Sequence, residues 1–301
     1  MTSRRALTIA PVLIATIAAL SLSACGSGAQ GRNTTGQLTV VASFYPLQFA
    51  AEQIGDGHVA VTSLTRPGAE PHDIELTTHD VATVSKAGLV IFEKGLQGAV
   101  DKAAESQAGN HALDVAPAAN LNLRLASGAT DPHFWLDPQR YSNVANVISA
   151  RLSKADPANK ADYEKNAKAF EDKLAALSTE FTTGLANCQR RDLVTSHAAF
   201  GYLAQRFSMK QIAINGLSPE QEPNATEIAA VSAYAKAHGV TTIYAETLVS
   251  PAIAATVASE SGAKVATLDP IEGLTKQSNG KNYFEVMRSN LTALQSGQGC
   301  S

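Results

Sequence analysis

The segment DPANKADYEKNAKAFEDKLAALSTEFTTG, residues 156–184, decides how the rest of the chain is divided. Asp156 and Pro157 supply an N-cap acid and a proline whose fixed φ suits a first helical turn. No further Pro or Gly occurs before Gly184. Tyr163, Ala167, Phe170, Leu174, Leu177 and Phe181 recur in steps of four and three, which draws one apolar stripe along a helix. About 27 helical residues reach about 40 Å. A helix of that length either struts across a two-domain molecule or packs along one domain, and the periodicity leaves both open.

On either side of this segment, short β-branched runs alternate with helical patterns. Strands are expected at 38–43, 59–64 and 89–92 before it, and at 192–196, 210–214, 241–245 and 264–268 after it. The intervening helices fall around 46–54, 81–86, 98–106 and 139–152, then 198–206, 225–237 and 251–260. Strands alternating with helices of about ten residues predict parallel α/β units. The strands are near-continuous apolar runs, as expected for sheets covered on both faces. The expected class is α/β, with one half at 37–153, the helix at 154–186 and a second half at 187–301.

The N-terminus carries its own message. Arg4 and Arg5 precede an apolar stretch, 6–20, and then Leu22-Ser23-Ala24-Cys25. A basic start, a short apolar core and small residues before a cleavage point form a secretory signal, too short to span a membrane comfortably. Residues 1–24 resemble a bacterial lipoprotein signal, which implies that Cys25 is lipidated and becomes the mature first residue; an ordinary signal with a coincidental cysteine is the alternative. Residues 25–36 then read as a flexible tether, GSGAQGRNTTG after the cysteine, with a reach of up to about 35 Å. The expected location is extracytoplasmic, on the cell membrane.

Of the 301 residues, 45% are hydrophobic and 17% charged, a globular composition. The net charge of −3 comes with no basic stripe, which excludes nucleic acid as a partner. With Cys25 assigned to lipid, Cys188 and Cys300 remain, and two cysteines in an oxidising compartment are expected to pair. That bridge closes a loop of about 113 residues, stabilising by about 4–5 kcal/mol in the chain-entropy model.

Seven histidines occur. His58, His79, His111 and His238 fall in turns, polar stretches or helix ends without a telling neighbour, and structural or solvated roles are expected for them. The other three sit at loops read as strand exits, where open α/β sheets gather ligands. His72 lies in PGAEPHD, residues 67–73; His133 in DPHFWLDP, residues 131–138; His197 directly follows the strand at 192–196. Asp269, braced by Pro270, directly follows the strand at 264–268. Three imidazoles and a carboxylate, two from each half, make an N3O set suited to tetrahedral zinc, whereas manganese prefers more oxygen. No compact HExxH or CxxC motif is present, and each histidine has the alternative of bonding a backbone carbonyl.

At these residues the chain resembles the zinc/manganese solute-binding components of ABC metal importers. The matching segments are AEPHDIEL around His72, DPHFWLDP around His133, SHAAFGYLAQRF from Ser196, and YAETLVSP with ATLDP around Asp269. The resemblance implies two α/β lobes joined by one long rigid helix, with His72, His133, His197 and Asp269 as ligands of an ion held between them. It also implies an ABC permease as partner and a monomeric carrier. A histidine at 197, where manganese members commonly have glutamate, favours zinc; manganese or iron in the same architecture is the alternative. Residues 121–130 are short and lack histidine, so the His-rich loop of many zinc members is absent. Gln97 stands where the family often has glutamate.

Neighbouring residues carry two readings each. Phe134 and Trp135 are expected to pack rather than gate. Asp137 either orients His133 or caps the following helix, and Glu246 is a candidate to contact a ligand imidazole. Ser196 beside His197 suggests a hydrolase only superficially, because adjacent strand residues point apart and no Gly-x-Ser-x-Gly elbow occurs. A zinc hydrolase with water as fourth ligand, and a surface adhesin in which metal only stabilises the fold, are the rival classes; neither is the expected one.

Overall fold

Leu38–Ala42 (β1) is almost wholly buried, and it takes an inner position in a four-stranded sheet. Its neighbours are Val59–Ser63 (β2) on one side and Leu89–Phe92 (β3) on the other, with Ala112–Asp114 (β4) beyond β3. All pairings are parallel, so Ala42 stands level with Ser63 and Ile91 at the carboxyl edge. The second sheet repeats the plan with Asp192–Thr195 (β5), Lys210–Ala213 (β6), Thr242–Ala245 (β7) and Lys264–Thr267 (β8), ordered β6-β5-β7-β8. This computed structural model describes Thr2 and residues 31–125, 127–219 and 222–301; the apolar stretch 6–20 of the expected signal and Cys25 lie outside the described residues.

Helices cover both sheets. In the first half they are Tyr45–Gly55 (α1), Thr78–Lys86 (α2), Gly98–Ala103 (α3), Ala116–Ala119 (α4) and Pro138–Ala155 (α5). Lys160–Gly184 (α6) follows, entered through a tight turn at Pro157–Asn159. The second half adds Gly201–Arg206 (α7), Ala225–Ala237 (α8), Ala252–Ser261 (α9) and Tyr283–Gln298 (α10).

The apolar stripe of α6 settles its role. All six residues of the stripe are buried. Phe170 meets Phe49 of α1 and Tyr141 of α5 edge to face, so the first half of the stripe packs on the N-terminal lobe. Phe181 stacks on Phe207 of the C-terminal lobe, 5.1 Å between centroids. The 25 residues of α6, about 37 Å long, therefore strut between lobes and belong to one continuous core. Asp156 does not cap this helix: its carboxylate accepts from Arg32, Asn159 and Tyr163.

Several elements differ from the sequence expectation. β4 is three half-buried residues held only by the β3 ladder, too short to show a period. α10 was not anticipated, although Tyr283, Val286, Met287, Leu291 and Leu294 are buried at helical spacing. Within the stretch 25–36, residues from 31 onward are tied to the lobe, because Thr39 N–H donates to Gly31 O and Asn33 closes a turn with Gln37. Cys188 and Cys300 form the expected disulfide, pinning the end of α10 to the entry of β5.

Candidate metal centre

The centre lies where the carboxyl edges of the two sheets face each other, and each side chain is aimed by its own local device. His72 sits in the loop after β2. Gln97 stiffens that loop from behind, its amide donating to Pro71 O and to Thr65 Oγ1. His72 N–H in turn donates to the Glu70 carboxylate.

His133 is not at a strand exit. It precedes the turn Phe134–Leu136 that leads into α5, and the Asp131-Pro132 pair positions it. Asp131 Oδ1 accepts from both the backbone N–H and Nδ1 of His133, each at 2.9 Å. Gly201 makes room for this carboxylate, since a Cβ there would collide with Asp131 Oδ2. His197 leaves the end of β5 and is held twice by Glu246, from the end of β7: its N–H meets Oε1 at 3.0 Å and Nδ1 meets Oε2 at 2.6 Å. With Nδ1 of both rings engaged by carboxylates, each Nε2 is left facing the centre, the arrangement that orients histidine ligands of metals.

The fourth donor is Glu272. Its Oε1 lies 3.3 Å from His72 Nε2, 3.0 Å from His133 Nε2 and 3.4 Å from His197 Nε2. His133 Nε2 is 3.3 Å from that of His72 and 3.4 Å from that of His197. Four donor atoms about 2.0–2.1 Å from one tetrahedral zinc stand about 3.3–3.4 Å apart. Five donor separations thus fall at or near that length, and all four atoms lie within 4.8 Å of one another. The donor set and spacing fit zinc.

Electrostatics prepare the site for a cation. Burial opposes ionisation of Glu272, but hydrogen bonds from the three rings outweigh it and hold the carboxyl well below the usual range. Burial likewise pulls the His197 imidazole down, yet Glu246 and then Glu272 push it up to about 10. His133 is also raised, with Asp131 and Glu272 outweighing burial. His72 goes the other way, lowered by burial against the pull of Glu272. The surrounding acids thus favour positive charge on His133 and His197, and a dication arriving at the centre takes the place of ring protons.

The expected fourth ligand is placed elsewhere. Asp269 is buried, but its carboxylate accepts from Ile271 N–H and Ser278 Oγ, both at 2.8 Å, and it does not join the three imidazoles. It builds the turn that delivers Glu272. Ile271 adopts a left-handed φ of 58°, which swings the next side chain inward. Asn290 of α10 clamps both backbone groups of Asp269, and Trp135 Nε1 donates to Pro270 O across the lobes. The signal in the sequence is the second carboxylate in Asp-Pro-Ile-Glu-Gly; choosing between the two requires the turn. Asp137 caps α5 and pairs with Arg206, leaving the orientation of His133 to Asp131. His58, His79, His111 and His238 lie outside the group, and Ser196 Oγ donates to Tyr244 O.

The chain matches the family model described as zinc-uptake complex component A, periplasmic, over residues 40–297. It is 35% identical to the high-affinity zinc uptake system protein ZnuA of Bacillus subtilis, covering 92% of this chain and 93% of that one. It is 33% identical to the zinc-binding lipoprotein AdcA of Streptococcus pneumoniae over 94% of this chain, but spans only 60% of that longer relative. Among solved structures, the Zn(II)-bound ZnuA-like domain of S. pneumoniae AdcA superimposes with a TM-score of 0.76 at 34% identity, covering 87% of this chain and 99% of that domain. A match across nearly the whole folded body, in sequence and in structure, places the chain in the periplasmic zinc-uptake component A family.

Proposed function

We propose that this chain captures zinc outside the cytoplasm, holding it with His72, His133, His197 and Glu272, and delivers it to an ABC-type membrane importer. One observation carries the reading: three Nε2 atoms and a carboxylate oxygen, nearly all at the edge lengths of a zinc tetrahedron. Nitrogen-rich, oxygen-poor donors favour zinc over manganese. Asp131 and Glu246 support the reading from behind by fixing two of the rings. The ion is cargo, so the same protonation that stabilises the empty site also lowers the barrier to giving the metal up at a permease. Lipid on Cys25 keeps the carrier at the membrane where that permease lies, and the carrier acts as a monomer.

Elemental analysis of protein purified without added metal, paired with competition titration, tests this. One zinc per chain, retained against equimolar manganese, is the expected result. Preference for manganese, or a host that grows normally in zinc-poor medium without the chain, would overturn it.

A further inference from the structure

The end of the N-terminal lobe opposite the metal centre holds a second polar feature. Leu38 and Ala112 open β1 and β4 there, and α5 ends there. Between them is a cavity of about 900 Å³ whose lining includes Arg32, His111, Arg151 and Lys154 and no carboxylate. Arg32 is partly neutralised from behind, donating to Asp156 at 2.7 Å and to Gly36 O at 2.7 Å. Arg151 donates to a backbone carbonyl, that of Asn110, and among the described residues Lys154 makes no ion pair. Two uncompensated cations beside a half-compensated one run against the charge of the body, which has more acids than bases.

The tether leaves the lobe at this same cavity. Gly31 is fixed against Gly88, where a Cβ on either glycine would stand 2.5 Å from backbone of the other. The exit point is therefore rigid and adjoins Arg32. Gly31 is six residue steps from Cys25, and a chain of six steps spans about 20 Å at most. If Cys25 carries lipid, a reading on which this inference rests, the cavity stays within that distance of the bilayer, where headgroup phosphates are at high effective concentration.

We infer that this basic cavity is a docking site for the phosphate headgroups of anionic lipids, seating the tethered carrier on its N-terminal base with the metal centre held off the bilayer. Each cation near an anionic surface strengthens association about fivefold.

The test uses the chain from residue 25 with Cys25→Ser, which carries no lipid, sedimented with phosphatidylcholine vesicles with and without phosphatidylglycerol. Binding only to the phosphatidylglycerol vesicles is expected, weakened by salt and at least about 25-fold weaker in Arg151→Glu/Lys154→Glu. Zinc binding of that double variant should be unchanged, which shows that it folds. Equal binding to both vesicle types, or no effect of the double variant, overturns the inference. Competition by millimolar inorganic phosphate also overturns it, because the cavity is then a free-anion site. The mass of the membrane-extracted native chain tests the anchor separately: an unmodified Cys25 removes the premise whatever the vesicles show.

Discussion

Glu272 Oε1 meets all three imidazole Nε2 atoms, whereas the Asp269 carboxylate accepts from Ile271 N–H in its own turn and from Ser278. Substitutions at the two acids should therefore separate. Glu272→Gln should weaken zinc binding by at least about 100-fold, the upper end of what even an outer partner costs. Asp269→Asn should lower stability by about 1–3 kcal/mol while keeping one zinc per chain; competition titration and thermal denaturation read the two effects. His197→Ala should behave like the first, and His79→Ala and His238→Ala should leave affinity unchanged. Protons are the other readout. Because His197 is pushed up to about 10, and His133 is shifted in the same direction, zinc binding near neutral pH should release at least about one proton, measurable by calorimetry in buffers of different ionisation enthalpy. Affinity should fall as pH drops from about 8 to about 6. For the metal-free protein the sign is opposite. The raised His197 contributes stability fully below its unfolded value of about 6.5 and loses it as pH rises through about 10, so the metal-free melting temperature should decline over that window.

Elements carry these side chains, and their contacts set how well the site is held. Gly201 opens α7 against the carboxylate of Asp131, so Gly201→Ala should push Asp131 off His133. A loss of about 10–100-fold in zinc affinity with an intact fold is expected by titration and circular dichroism. Leu174, in the buried stripe of α6, has no polar duty; Leu174→Ala should cost about 2–5 kcal/mol in urea denaturation. That stripe was legible because steps of four and three from Tyr163 to Phe181 admit one structure. β4 was not, since three residues paired to a single strand show no period, and His133 was misplaced at a strand exit because the loop around it has none either.

Across the molecule, α6 joins both lobes through one apolar core, and bonds near the centre cross between them, among them Trp135 Nε1 to Pro270 O at 2.7 Å, Tyr283 O–H to Trp135 O at 2.6 Å and Tyr202 O–H to Asp131 O at 3.0 Å. Arg206 of the second lobe also pairs with Asp137 of the first. Wide clamshell motion would have to break all of these and expose the stripe. Small-angle scattering of zinc-free and zinc-loaded protein should therefore give nearly superimposable profiles, with local loop change only. A large swing in radius of gyration would contradict the strut.

The residue pattern alone pointed to the α/β class, the long helix and the pairing of Cys188 with Cys300, because periodicity and residue chemistry are local properties that survive without coordinates, whereas it only nominated the three imidazoles. Only the tertiary structure decided which acid closes the site. Asp269 and Glu272 are chemically alike and three residues apart, and a left-handed Ile271, following an Asp269 held by Asn290 and a Pro270 held by Trp135, turns one into the loop and the other toward the rings. Backbone direction at a single residue is set by contacts from distant segments, and no reading of the chain in one dimension contains it.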